Sequence, residues 1–375
     1  MTSESHVTES LFYFLSCIGH ASCGLIFCHF NILCGSHLLQ FFIVGVNEFY
    51  GQVGNGDIDH ASWNRDTDID EAPGQRPSYV LNAQKPGSEV AGETAAALAA
   101  ASIVFKTEDP TYSAELLRHA KELFTFGETY QGKYSDSIPD AAKFYNSYSG
   151  YKDELAWAAA WLAKATGEQS YINKAGVFAN EMANPSELSW DNKWRGVQIL
   201  MAELTGEAKY KDAVKNFCGY LVSGQQRTPQ GMVFIQQWGS NRHASNVAFA
   251  CLAASKMIDG MDDYSGFTRE QIGLVLGDAG RSYVVGFGEN PPQRPHHSGS
   301  SCPLRPASCS WPQLDSPDPN PQVLNGALVG GPGADGSYTD YRKDFIKNEV
   351  ATDYNAGFQS AVAGLLALAA EGTCP

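Results

Sequence analysis

From Val90 onward the chain is a succession of apolar helical runs separated by long polar loops, and this pattern constrains the fold more than any other feature. VAGETAAALAAASIVFK (90–106) is Ala-rich throughout. Apolar residues recur at three-to-four spacing near 111–127, 153–166, 169–183, 194–205, 208–223, 242–258, 268–286 and 355–371. KDELAWAAAWLAKATG and VQILMAELTG both end in the Gly that commonly follows a helix. Strand-like alternation is scarce, with GMVFIQQWG the best short candidate. Nine helices alternating with motif-bearing loops predict an all-α fold. Paired helices would form a ring, an (α/α)6 toroid, with the loops lining one rim. Nine of twelve helices predict a toroid incomplete at its N-terminus.

The N-terminal part has a different character. No Asp, Glu, Lys or Arg lies between Glu9 and Glu48, and the segment is apolar, aromatic and Cys-rich. It is long enough to span a bilayer. Yet it has no basic flank, and His20, His29, Asn31 and His37 interrupt it. It also lacks a signal peptide's basic start and small-residue cleavage site. From Asn47 the composition becomes that of a soluble enzyme. The expected division is residues 1–46, a mis-start or less favourably an anchor, and residues 47–375, the folded domain.

With 43% hydrophobic residues the 375-residue chain can bury a large core, and its net charge of −15 disfavours nucleic acid and anionic membrane as partners. A neutral sugar is compatible with that charge. The 17 Tyr, 7 Trp and 19 Phe suit sugar stacking, although core packing accounts for most of them. Cys218 and Cys251 fall in helical runs and read as buried thiols. Cys302 and Cys309 bracket SCPLRPASC, where a short bridge would fit an exported protein; free thiols are the alternative.

Five loops carry candidate chemistry. YTDYRKDFIKNEVATDYNA (338–356) holds Asp340 and Glu349, which a continuous helix would place on opposite faces, so they converge only if the segment is bent. SYVVGFGENPPQRPHHSGSSCP (282–303) is a rigid turn presenting Arg294, His296 and His297; an Nε2–H donor there could hold a sugar hydroxyl. FYNSYSGYKDE (144–154) offers oxygen donors suited to Ca²⁺ at Ser149, Gly150, Asp153 and Glu154, though a helix N-cap explains the same residues. EFYGQVGNGDIDHASW (48–63) reads as a Gly-rich loop and lacks the context of a phosphate-binding loop. QQWGSNRHASN (236–246) sets Trp238 and Arg242 just before a helix.

The pattern Tyr338-x-Asp340-x4-Phe345-x3-Glu349-x-Ala351-x3-Asn355-Ala356 resembles the C-terminal active-site signature of glycoside hydrolase family nine, the β-1,4-endoglucanases. The 282–298 loop is similar to that family's His signature, with Gly288, Asn290, Pro295 and His296 in place. GFGENPPQRPHH, SPDPN and GALVGGP look like the animal branch of termites, crayfish and molluscs. The resemblance covers the chain from about Asn47. It implies an (α/α)6 barrel that hydrolyses cellulose with inversion, needs no cofactor for chemistry, and is secreted and monomeric. It implies Glu349 as general acid, Asp340 as an orienting partner and His296 as a catalytic-cleft residue. Sugar contacts would come from His60, Trp63, Tyr145, Tyr148, Trp238, Arg242 and Tyr354. A structural Ca²⁺ would take Ser149, Gly150, Asp153 and Glu154, with Asp191 as a weaker fifth ligand.

Two departures stand out. The family's His-x-Arg is His296-His297-Ser298 here, which removes a two-pronged donor. No Asp-Ala-Gly-Asp, the family's base motif, leads into the matching region; Asp278-Ala279-Gly280 continues with Arg281. Two alternatives to an active enzyme follow: an inactive truncated homologue, or a non-catalytic glucan-binding protein.

Overall fold

The computed structural model describes residues 43–45, 47–69 and 76–370. Nearly all of the 1–46 segment, including its four cysteines, lies outside the described residues. Nine helices of ten residues or more occur among them: α1 (Ser88–Phe105), α2 (Pro110–Thr129), α3 (Lys152–Thr166), α4 (Gln169–Phe178), α5 (Trp194–Thr205), α6 (Ala208–Ser223), α7 (Ser240–Met257), α8 (Ser265–Leu276) and α9 (Thr352–Ala370). α3 and α5 end at Gly167 and Gly206, both left-handed, as their sequences predict. α8 stops ten residues short of the predicted 286, because the chain turns at Gly277 (φ 125°), a conformation that favours glycine. α4 stops at Phe178 and tightens into a 3₁₀ turn.

The helices form two layers. α1, α3, α5, α7 and α9 pack consecutively as an inner arc, and α2, α4, α6 and α8 each lie outside the helix they follow. Inner helices are surrounded, so their apolar character runs all round. α3 is buried without a break from Asp153 to Ala163, and α7 from Ser240 to Ala254. The outer α6 buries only Tyr210, Val214, Phe217, Cys218 and Leu221, a single stripe. α1 is long and apolar enough to cross a bilayer, but 61% of it is buried inside the protein. Its Ala91, Ala95, Ala96, Ala99 and Ala100 allow close helix contact.

A small antiparallel sheet, ordered β1 (Ile43–Gly45), β2 (Glu48–Val53) and β3 (Ser78–Leu81), corrects the reading of EFYGQV as loop. Gly51 belongs in that strand because a Cβ there would lie 2.7 Å from the Leu81 side chain. GMVFIQQWG is no strand. It makes one bridge, Arg227 to Val233, and the Gln271 side chain takes the Val233 amide.

Cys218 and Cys251 are not thiols: they form a disulfide joining α6 to α7, with Cα atoms 5.7 Å apart. Helical periodicity places each on a buried face, and only the packing of two helices brings those faces together. The Cys302–Cys309 bridge forms as expected.

Candidate active site

The N-terminal ends of the inner helices gather on one rim. Lys193, just ahead of α5, lies 3.0 Å from Glu93 of α1 and 3.7 Å from Glu154 of α3. Asn246 of α7 donates to the Leu188 carbonyl, and Arg242 of α7 pairs with Asp353 of α9 at 2.6 Å. The loops feeding these helix starts carry the motifs.

Glu349 caps a short turn, Phe345–Asn348, three residues before α9. Trp238 Nε1 and the Tyr354 hydroxyl both donate to its Oε2 at 2.9 Å. Its Oε1 takes no hydrogen bond among the described residues. Tyr354 is buried, and that burial, with the Glu349 carboxylate beside it, pushes its hydroxyl far above the usual range and keeps it a donor. Arg242 lies beneath, 4.8 Å from the Tyr354 ring centre and nearly fully buried. Its guanidinium therefore supports Tyr354 and pairs with Asp353, instead of facing the opening.

The 338–349 segment is bent, as convergence requires. Asp340 accepts from the Gln293 and Arg294 amides, both at 2.9 Å, and from the Arg294 guanidinium at 3.2 Å. Eight residues later the His296 amide donates to the Asn348 carbonyl at 2.7 Å. The two bonds grip the loop on either side of Pro295. His296 Nδ1 sits 2.7 Å from the Arg342 carbonyl, which can only accept, so the neutral ring carries its proton there. Nε2 is then an acceptor, where the sequence suggested a donor. Burial holds the ring below the usual histidine range, so it is neutral around pH 7.

The remaining predicted contacts fall into two groups. Trp63 packs edge-on to His296 at 5.0 Å and is itself buried, its indole N–H on Ser301 Oγ. His60 stacks on Phe144 at 4.5 Å. Tyr145 and Tyr148 both pack against Trp190, a ring not singled out from the sequence although it stands beside Asp191. Tyr148 is 73% exposed. Phe345, a fixed position of the signature, lies exposed between Trp238 and His296.

At the proposed cation loop, Asp191 accepts from the Tyr148 and Ser149 amides, and Asp153 accepts from the Lys193 amide and the Ser149 hydroxyl. Asp153 Oδ1 and Glu154 Oε2 are buried and take no hydrogen bond. Among the described residues, no three His, Cys, Asp or Glu side chains are grouped to hold a metal ion. Burial raises Glu93 to about 7 and holds Glu154 well above its usual range, while Lys193 stays charged: burial opposes its charge, but Glu93, Glu154 and Asp153 together outweigh it. Three of the four acids between 57 and 68 are engaged elsewhere: Asp57 with Lys143, Asp59 with Arg76, and Asp68 with Arg65 and Arg305.

A sequence profile of glycosyl hydrolase family 9 matches residues 37–362. The chain belongs to this family. It is 42% identical over 347 residues to Endoglucanase A of Bacillus pumilus, covering 88% of this chain and 51% of that protein. The chain spans about half or less of the length of such curated relatives. Among solved structures it is similar to the endoglucanase of the termite Nasutitermes takasagoensis (TM-score 0.86, 48% identity, 98% of this chain and 85% of that one). It is also similar to the cellulase Cel9M of C. cellulolyticum in complex with cellobiose (TM-score 0.80, 30% identity, 96% and 83%). The two-layer helical arc is thus the (α/α)6 barrel of family 9.

Proposed function

We propose that the chain is an endo-β-1,4-glucanase that cleaves internal bonds of cellulose with inversion, with Glu349 as general acid. The carrying observation is the grip on Glu349. Trp238 and Tyr354 lock one carboxyl oxygen and leave the other to give its proton to a glycosidic oxygen. Inversion also needs a carboxylate across the cleft, roughly 6.5–9.5 Å away, with a water between. Asp340 is spoken for by the 293–294 amides and acts as a positioning residue. His296 and the rings of Tyr145, Tyr148 and Trp238 line the sugar path, with Trp63 packed behind His296, while Tyr354 and Arg242 hold the acid from below. The cellobiose complex of Cel9M supports a β-1,4-glucan as substrate, and the 48% identity to the termite enzyme supports the animal branch. Two disulfides support secretion. We take the protein to be monomeric, with no nucleic-acid or membrane partner.

The test is reducing-sugar release from carboxymethylcellulose by the purified chain and its Glu349→Gln variant. Loss of about 10²–10⁴-fold in the variant is expected. An inactive parent chain, or a variant as active as the parent, overturns the assignment; cellohexaose binding without cleavage would mark a glucan-binding protein instead.

A structural Ca²⁺ at Ser149, Gly150, Asp153, Glu154 and Asp191 belongs to the same proposal. The unpartnered, buried Asp153 Oδ1 and Glu154 Oε2 support it, since a hard cation takes such oxygens. Calcium should raise the melting temperature over that in EDTA, by about 2.7 kcal/mol of stability at a hundredfold excess over Kd. Asp153→Asn should remove the rise. A melting temperature indifferent to calcium excludes the ion.

A further inference from the structure

We propose that Trp311 is a further sugar-stacking platform that extends the cleft beyond Trp63 and favours longer glucan chains; this rests on the glucanase reading. The rings form one continuous row. Trp238 meets Phe345 at 5.3 Å, Phe345 meets His296 at 5.9 Å, His296 meets Trp63 at 5.0 Å, and Trp63 meets Trp311 at 6.2 Å, tilted by 34°. The two ends of the row face solvent: Trp238 is 45% exposed and Trp311 47%, while Trp63 between them is 7% exposed. Trp63 therefore buttresses the row, and Trp311 offers the free surface at the end away from Glu349.

Trp311 is also held still. It follows the Cys302–Cys309 loop, which Arg65 clamps through the Pro303 and Ala307 carbonyls and Arg305 ties to Asp68. On its other side, Arg342 donates to the Gln313 carbonyl at 2.6 Å, and the Leu314 amide donates back to Trp311. A large ring presented to water on a fixed backbone loses little entropy on binding. Its flat apolar face matches the CH face of a neutral glucosyl unit and offers nothing charged to compete with the acidic chain.

The experiment is calorimetric titration of cellohexaose and cellotriose into the Glu349→Gln protein, with and without Trp311→Ala or Trp311→Phe. Trp311→Ala should weaken cellohexaose about tenfold, and Trp311→Phe should restore most of the loss. Cellotriose, bound at the centre, should change by less than about twofold. In the active enzyme the loss should appear in KM for long chains and leave kcat. Unchanged cellohexaose affinity in Trp311→Ala, or equal weakening of both sugars, overturns the inference while leaving the glucanase reading intact. Failure of the parent protein to bind either sugar overturns both.

Discussion

Asp340 and Glu349 stand nine residues apart and do different work. Glu349 is aimed by two donors from other helix starts, whereas Asp340 organises backbone. In Asp340→Asn the carboxylate that gathers two amides and a guanidinium becomes a neutral amide. We expect kcat to fall, because His296 and the segment carrying Glu349 lose their register. Stability should drop by about 1–3 kcal/mol, checked by urea unfolding alongside steady-state kinetics. Both acids were legible in the sequence through their motif, and so was His296. Their partners were not: Trp238 lies 111 residues before Glu349. Arg242 looked like a cleft residue because its position beside Trp238 says nothing about which way the side chain turns. The helix turns it inward to Asp353.

At the scale of elements, the starts of the inner helices concentrate carboxyls in a dry setting. Glu89, at the start of α1, is raised from 4.5 to about 7 by burial, which outweighs its bond from the Tyr134 amide. Below pH 4.5 the folded and unfolded chains both hold this proton. Between 4.5 and about 7 the folded state binds more protons, so stability from this group falls as pH rises through that window. The stability difference between the parent and Glu89→Gln should therefore shift by roughly 3 kcal/mol between pH 4.5 and 8, in the direction that favours Glu89→Gln at the higher pH. Melting curves across that range check it; parallel curves would refute it. Helix periodicity announced all nine helices, because their apolar spacing is local. It overran α8, and it missed β2, whose Gly51 mimics a loop residue until Leu81 is seen to need the space.

In the whole molecule, the inner arc is tight enough to require glycine at its seams. A Cβ on Gly357 of α9 would lie 2.1 Å from the Asn246 side chain and 2.7 Å from the Asn246 Cα of α7. Gly92 of α1 meets the Glu154 carbonyl of α3 in the same way, at 2.8 Å. Gly357→Ala should therefore push α9 off α7 and lose about 1–3 kcal/mol by denaturant unfolding. Because Trp238 precedes α7 and Glu349 precedes α9, kcat should fall with it. Gly219→Ala on the outer α6, with nothing within 4 Å, should be neutral or stabilising by about 1 kcal/mol. The sequence by itself determined the helices, their order and the family motif that contains Glu349, because each is written in spacing along the chain. Tertiary structure alone decided which helices are inner, which cysteines pair, which rings adjoin and which way each charged side chain faces. Those are contacts between residues tens to hundreds of positions apart, and only packing brings them together.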